Sequence, residues 1–327
     1  MKAIIPVAGS GTRLRPLTNS KPKALLRVGS KPIIAHIIER LLSIGCREMI
    51  PIISPGGGQI PLFIEEYYPE VLVQPVIQQH QLGLGHAVNL AAGIARGSEL
   101  IVVYGDTIIQ GDMSSLIDHS FDGVIAVKKV EDPRRFGVVH TAKGLITKFV
   151  EKPAESESNL AVVGLNYIRN SDDLFSCLDE IIENDIRTMG EYQITDAFQL
   201  MVGRGKKMKP FPVEGWFDAG TPETLLDTNR AMLITEANCE SLPGSIIKPP
   251  VFLPESAVVS GSVIGPNVSV GNDAIIEQSI ISDSIIGDGA KVVNARLFQS
   301  LIGDHAEVIC QPGKLMLGDH SSIDFEP

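Results

Sequence analysis

Apolar residues recur every six positions at Val258, Ile264, Val270 and Ile276, and a second run in a new phase takes in Ile286, Val292 and Phe298. Helical periodicity is weak here. A short corner motif repeats as well, at Ile264-Gly265, Ile286-Gly287, Ile302-Gly303 and Leu317-Gly318, three of them continuing with Asp. Repeats of this kind build a β-solenoid, in which each coil buries its corner residues against the next. The phase breaks predict an irregular prism of few coils. After about Ala237 the composition shifts to Gly, Ser, Val and Ile, so residues 238–327 are expected to form this domain and residues 1–237 a separate, larger one.

The other end of the chain constrains the chemistry. Ala3-Ile4-Ile5-Pro6-Val7 is a short, β-branched apolar run suited to a buried first strand of a parallel sheet. It leads directly into Ala8-Gly9-Ser10-Gly11-Thr12-Arg13-Leu14-Arg15-Pro16-Leu17-Thr18, with Lys21-Pro22-Lys23 close behind. Gly9 and Gly11 have no Cβ, so the backbone can turn tightly and present its N–H groups to phosphate oxygens. Lys2, Arg13, Arg15, Lys21, Lys23, Arg27 and Lys31 all precede Glu39, the first acidic residue, in a chain whose net charge is -11. That local inversion predicts an anion site; the plain alternative is an ordinary Gly-Ser-Gly turn beside a solvated basic surface. The loop lacks both the Gly-Lys-Ser/Thr ending of an ATPase loop and the third glycine of a dinucleotide fingerprint.

A chain of 327 residues with 44% apolar and 20% charged residues is an ordinary globular protein. Its acidic balance argues against a nucleic-acid partner. Cys46, Cys177, Cys239 and Cys310 are widely spaced, so a zinc site or redox pair is not expected. No apolar stretch approaches the ~18 residues that cross a bilayer, and the N-terminal run lacks the features of a signal peptide. A cytoplasmic protein without a membrane partner is expected.

Between the two ends the pattern reads as an α/β sheet. The apolar spacing predicts a helix over 31–44 closed by Gly45, then a strand at 48–54, a right-handed crossover. A strand at 71–78 leads into Gln78-Gln79-His80-Gln81-Leu82-Gly83-Leu84-Gly85-His86, which opens a helix running to about Arg96. Polar loops at this edge of an open sheet are where ligands sit. Leu100-Ile101-Val102-Val103-Tyr104-Gly105-Asp106 ends a strand on a carboxylate, which could help hold magnesium or serve as turn chemistry only. From Gly123 the strands come closely, at 124–130, 136–140, 145–150 and 161–168, and are expected to form an added antiparallel layer. Helices follow at 172–184 and after Gly190, the second with Thr195 and Asp196 as possible caps, and a third after Thr221-Pro222.

Gly9-Ser10-Gly11-Thr12-Arg13-Leu14-Arg15-Pro16-Leu17-Thr18 with Pro22-Lys23-Ala24-Leu25 resembles, position by position, the signature of the sugar-1-phosphate nucleotidylyltransferases. Further matches are Phe136-Gly137-Val138-Val139, Val150-Glu151-Lys152-Pro153, Ala161-Val162-Val163-Gly164 and Gly215-Trp216-Phe217-Asp218-Ala219-Gly220-Thr221. Ala8 stands where many members have glycine, a form more like glucose-1-phosphate uridylyltransferases and some thymidylyltransferases. The resemblance implies a Rossmann-like mixed-sheet domain followed by a small left-handed parallel β-helix. It also implies transfer of a nucleoside monophosphate from dTTP or UTP to a sugar 1-phosphate, by default glucose 1-phosphate, with Mg2+ as cofactor. By the same likeness Ala8, Gly9, Gly11 and Thr12 hold the triphosphate, Gln78 and Gly83 read the base, and Arg13, Lys23 and Asp106 are catalytic. Gly137, Glu151, Lys152, Val162 and Glu191 would bind the sugar phosphate, and Asp106 and Asp218 the metal. A phosphate nucleophile is already anionic near pH 7, so positioning and charge neutralisation suffice.

Two readings compete. The solenoid resembles that of hexapeptide acyltransferases, and His305 and His320 sit at its corners, but the coils are few and no segment supplies a pantetheine groove. A non-catalytic sugar-nucleotide-binding subunit is the other, opposed by the intact aspartates and lysines. Flat coil faces are natural contact surfaces, and a homo-oligomer is expected.

Overall fold

The structure, a computed structural model, describes residues 1–155 and 158–310; the expected Leu317-Gly318 corner and His320 lie outside them. The described chain groups into two compact units, Met1–Leu26 with Ile33–Asp218, and Arg27–Pro32 with the chain from Ala219 onward.

In the first unit β1 (Lys2–Pro6) buries Ala3, Ile4 and Ile5 completely, as its apolar run requires. α1 (Ile33–Ser43) follows, its Ile33, Ile34, Ile37, Ile38 and Leu41 all buried, and the chain leaves it through Gly45 at φ +79°. β2 (Glu48–Ile53) then lies parallel to β1, so the predicted crossover is present. α2 (Gln59–Tyr67) follows the Pro55–Gly58 turn. The strand expected at 71–78 is two short pieces, β3 (Leu72–Val73) and β4 (Val76–Ile77), both parallel to β2. Pro75 between them has no N–H to give a ladder. The expected helix to Arg96 is likewise broken: α3 (Leu84–Asn89) stops, and a single turn, Ala92–Ala95, resumes it.

β5 (Leu100–Val103) is the other parallel neighbour of β1, and β6 (Thr107–Gln110) leaves the sheet after it. β7 (Gly123–Lys129), β8 (Gly137–Ala142), β9 (Leu145–Glu151) and β10 (Leu160–Ile168) do not make a separate layer. They continue the same sheet, because the end of β10 pairs antiparallel with β5 from Leu165↔Val103 to Ile168↔Leu100. Its start pairs with β8, at Val138↔Ala161. The switch falls at a register break between Val162 and Asn166, where Gly164 takes φ +86° and a Cβ would lie 2.3 Å from the Tyr104 ring. α4 (Ser171–Glu183), α5 (Ile194–Gly203) and β11 (Met208–Pro212), parallel to β7, complete the sheet and its cover. Leu174, Phe175, Ile181, Phe198 and Met201 pack with Ile4, Val102 and Ile125 in one core. β12 (Gly215–Asp218) pairs antiparallel with β6.

The second unit opens with α6 (Pro222–Glu236), whose cap is Thr221 in a reciprocal pair with Thr224, with Pro222 in its first turn. By packing, this helix goes with the solenoid, so the compact units part at Asp218, whereas the boundary at 237 marks the change in composition. Beyond it, short strands stack into three parallel sheets, for example Ile246–Ile247, Val263–Ile264, Ile280–Ser282 and Arg296–Phe298. This is the left-handed β-helix expected from the repeats. Ile264, Val270, Ile276, Ile286 and Val292 fill its core. Val258 and Phe298, members of the same periodic series, instead face out at 55% and 59% exposure. The phase break has a geometric form: Val263 aligns with Ile280, but Ile280 aligns with Arg296, a step one residue shorter. Asp288 Oδ1 accepts from the Asn272 N–H at 2.8 Å and Asp304 Oδ1 from the Asp288 N–H at 3.1 Å, so the corner aspartates tie coil to coil.

The hairpin Arg27–Pro32 is held inside this unit. Asn229 Oδ1 accepts from the Gly29 N–H at 2.8 Å, and Glu236 Oε2 from the Ser30 N–H at 2.8 Å. Arg27 donates to Asp288 Oδ1 at 2.8 Å. Among the described residues no helix is long and apolar enough to cross a membrane.

Candidate active site

The site begins where β1 and β5 end side by side. The Gly105 N–H donates to the Pro6 carbonyl at 3.2 Å, and a Cβ on Gly105 would lie 2.1 Å from Val7 Cγ1. Glycine therefore lets the two strand ends close up and delivers Asp106 beside the loop that follows β1. That loop passes through Gly11 at φ +58° into a short turn, Thr12–Leu14, and Thr18 Oγ1 donates to the Gly11 carbonyl at 2.8 Å.

β6 and β12 bring in the second carboxylate, since Asp218 stands opposite Thr107, the residue after Asp106. Lys23, from the turn Lys23–Leu25, donates from Nζ to Asp106 Oδ2 at 2.8 Å. Burial pushes the Asp218 carboxyl above its ordinary value, and the Asp106 charge adds to this. Lys23, Arg13 and Arg135 oppose the rise.

All of these groups except Lys23 line one cavity of about 580 Å³. Arg13, Asp106 and Asp218 form part of its wall, and Gly137, Glu151, Lys152 and Val162 another part. Glu151 Oε2 accepts from Thr195 Oγ1 at 2.8 Å. Thr195 is thus not a cap; α5 starts at Ile194 with no side-chain cap bond at Gln193. A Cβ on Gly137 would fall 2.8 Å from Thr195 Cγ2 and 2.9 Å from Glu151 Oε2, so glycine there makes room for that pair. Lys152 holds a left-handed backbone at φ +41°, a conformation that costs a non-glycine residue ~1–3 kcal/mol. Its N–H donates to the Phe136 carbonyl at 3.1 Å, and its ammonium lies 3.8 Å from Glu151 Oε1. Burial first, then the charges of Glu151 and Asp106, push the Tyr104 phenol upward, so it stays a neutral donor on the cavity wall.

The loop after β4 is tied to the glycine loop, because Gln81 Nε2 donates to the Ala8 carbonyl at 2.6 Å. Gln78 is buried, and its amide Nε2 stands 3.1 Å from His86 Nδ1 and 3.5 Å from the Gly83 carbonyl. Burial lowers the His86 pKa, leaving a neutral ring that can accept at Nδ1. His86 therefore orients Gln78. Gly83 lies against the Tyr192 backbone, and Gly85 N–H donates to the Tyr192 carbonyl at 2.8 Å.

Not every expected residue reaches the cavity. Ala8, Gly9, Gly11, Thr12, Gln78 and Gly83 sit on the two loops beside it, and Lys23 acts on it through Asp106. Glu191 is exposed and accepts from Gln193 Nε2 at 3.1 Å, while Gln193 itself lines the wall. The cavity is also lined by Tyr104, Gln193, Trp216, Arg134 and Arg135, residues to which the sequence motifs give no role. The arginine pair had a usable signal, two adjacent cations directly before the Phe136-Gly137 match in an acidic chain.

Comparison with known proteins points the same way. The nucleotidyl transferase family matches residues 2–234. A glucose-1-phosphate thymidylyltransferase of Streptomyces griseus is 28% identical, over 98% of this chain and 98% of its own. A bifunctional sugar-1-phosphate nucleotidylyltransferase/acetyltransferase of Sulfurisphaera tokodaii is 31% identical, covering 93% of this chain and 78% of its own. Among solved structures, a UDP-glucose pyrophosphorylase complexed with UDP-glucose superposes with a TM-score of 0.60 at 25% identity, over 70% of this chain and 97% of that one.

Proposed function

Because the chain belongs to the nucleotidyl transferase family, we propose that it joins a nucleoside triphosphate to a sugar 1-phosphate, giving the nucleoside diphosphate sugar and pyrophosphate. dTTP is the first choice of nucleotide and UTP the second, with glucose 1-phosphate as acceptor. The observation that carries this reading is the cavity itself, with Lys23 on Asp106 at 2.8 Å and Asp218 at one end and Lys152 with Glu151 on the wall beyond. An oxygen of the sugar phosphate attacks the α-phosphorus, and the bond to the bridging oxygen of the β-phosphate breaks as pyrophosphate leaves. The nucleophile is already an anion, so no base is needed, and the chain's work is alignment and charge.

In this scheme the backbone of Ala8, Gly9, Gly11 and Thr12 cradles the triphosphate and Arg13 pairs with its oxygens. Lys23 neutralises charge that builds at the α-phosphate. Lys152 orients the attacking phosphate, with Gly137, Glu151 and Val162 beside it and Glu191 toward a sugar hydroxyl. Gln78, oriented by His86, offers an amide edge to a pyrimidine next to Gly83.

The donor set also fits a hard divalent cation. Among the described residues no three His, Cys, Asp or Glu side chains gather at one point, but magnesium asks for only one or two carboxylates and takes phosphate oxygens and water for the rest. Asp106 and Asp218 would hold it, and it would add positive charge against the phosphates. A matrix of nucleoside triphosphates against sugar 1-phosphates, read by pyrophosphate release, tests the reaction. Turnover is expected with dTTP or UTP and glucose 1-phosphate, stopped by EDTA and restored by Mg2+. Binding without release of pyrophosphate would make the protein a regulatory subunit instead.

A further inference from the structure

We infer that Arg135 is a further substrate-binding residue, a guanidinium that grips the phosphate of the sugar 1-phosphate. The inference rests on the proposed nucleotidyl transfer and concerns a residue that no sequence motif singled out.

Charge pairing around the cavity is uneven. Lys23 is engaged by Asp106 at 2.8 Å, and Lys152 stands 3.8 Å from Glu151. Arg134 is closed in a fork on Asp132, with both bonds at 2.8 Å. Arg135 lines the same cavity, yet makes no hydrogen bond or ion pair among the described residues. Its charge reaches Asp132 and Asp218 only at a distance, so a guanidinium with no bonded anion stands at the wall of the cavity, free to take a phosphate.

The backbone that carries it is fixed on both sides. The turn Pro133–Arg135 starts at Asp132, whose Oδ1 accepts from the Arg134 N–H at 3.1 Å. Directly after it, Phe136 packs edge-on against Trp216 with ring centres 4.9 Å apart, and its carbonyl accepts from the Lys152 N–H at 3.1 Å. Arg135 is therefore anchored on the wall that carries Gly137 and Lys152. From there its charge acts on Asp218, across the cavity's acidic end. In-line attack needs the acceptor phosphate in that interval, between Lys152 and the α-phosphate. Lysine is a point charge, whereas a planar guanidinium donates two parallel bonds and so fixes the phosphate's orientation.

The test uses the full chain. Titration calorimetry with glucose 1-phosphate, and separately with inorganic phosphate, is run on wild type, Arg135→Ala, Arg135→Lys and Arg134→Ala, with circular dichroism as the check on folding. Steady-state turnover is measured in parallel. Arg135→Ala is expected to weaken binding of both phosphates at least tenfold and to lower kcat/KM for the sugar phosphate by about 100-fold. KM for the triphosphate should stay within threefold. Arg135→Lys should recover part of the binding but less of the turnover, and Arg134→Ala, whose guanidinium is already held by Asp132, should lose clearly less binding than Arg135→Ala. Unchanged binding in Arg135→Ala, a loss confined to the triphosphate, or an equal loss in Arg134→Ala would overturn the inference. So would wild-type protein that binds neither phosphate. Absence of pyrophosphate release from wild type would defeat nucleotidyl transfer alone, because the calorimetry still reports whether Arg135 holds a sugar phosphate.

Discussion

Lys23 and Asp106 form an ion pair at 2.8 Å in the site, and Asp218 depends on it, since Lys23 is one of the charges that offset the repulsion between the two aspartates. Lys23→Ala should fold normally yet lose ~3–4 kcal/mol of transition-state stabilisation, roughly 100- to 1,000-fold in turnover. Pyrophosphate release beside a circular dichroism spectrum checks this, and unchanged turnover would remove Lys23 from the chemistry. Glycines separate a second pair of effects. A Cβ on Gly9 meets nothing within 4 Å, so Gly9→Ala should melt like wild type while KM for the triphosphate rises. A Cβ on Gly137 strikes Thr195 and Glu151, so Gly137→Ala should lose ~1–3 kcal/mol of stability as well as activity, measured by urea unfolding. Equal melting of the two variants would contradict this. Gly9, Arg13, Lys23 and the two aspartates were legible because their residue types are tied to an ordered series of motifs. Arg135 and Gln193 were not, because a loop arginine and a glutamine before a helix have many ordinary uses and only the folded wall gives them one.

At the scale of elements, the bulge in β10 joins the parallel and antiparallel parts of the sheet and sets the wall that holds Val162 and Val163. Gly164 makes it possible. Gly164→Ala would impose a left-handed backbone on a residue with a Cβ and push that atom into the Tyr104 ring, for a loss of ~2–4 kcal/mol. A shift in the urea midpoint checks it, and a change below ~1 kcal/mol would mean the strand can re-register. Local pattern placed most strands and helices, since 3.6-residue and two-residue periods survive in the sequence. It could not reveal that β10 changes partners midway, because β-pairing joins residues far apart and the signal, one glycine, is local. The split between β3 and β4 was legible in principle, as Pro75 cannot donate to a ladder. The outward turn of Val258 and Phe298 was not, because a shortened coil changes which face a residue takes without changing its hydrophobicity.

For the molecule as a whole, stability of the second unit should carry its own pH dependence. Arg230 donates from Nε to Asp283 Oδ1 at 2.5 Å and holds that carboxyl below its ordinary range. The folded state therefore gives up this proton more readily than the unfolded one. The resulting stabilisation is complete above the ordinary carboxyl value of 3.8 and drains away as pH falls through the lower folded value. Asp283→Asn should cost ~1–2 kcal/mol near neutrality, the partly exposed arginine limiting the effect, and the gap in Tm from wild type should close in strong acid. A gap independent of pH would assign the loss to packing. Acetyl-CoA should not be consumed; detectable acyl transfer would give the solenoid a chemistry of its own. The hairpin Arg27–Pro32 has an evolutionary corollary. The polypeptide passes between its two units after Leu26, after Pro32 and again after Asp218, so no single cut frees either half intact. A gene fragment ending at Asp218 would carry a loop deprived of Asn229, Glu236 and Asp288, and a fragment starting at Ala219 would carry those acceptors without the hairpin's donors. Recombination that exchanged tails among relatives would have to exchange residues 27–32 with them, which makes tail and loop a co-inherited set.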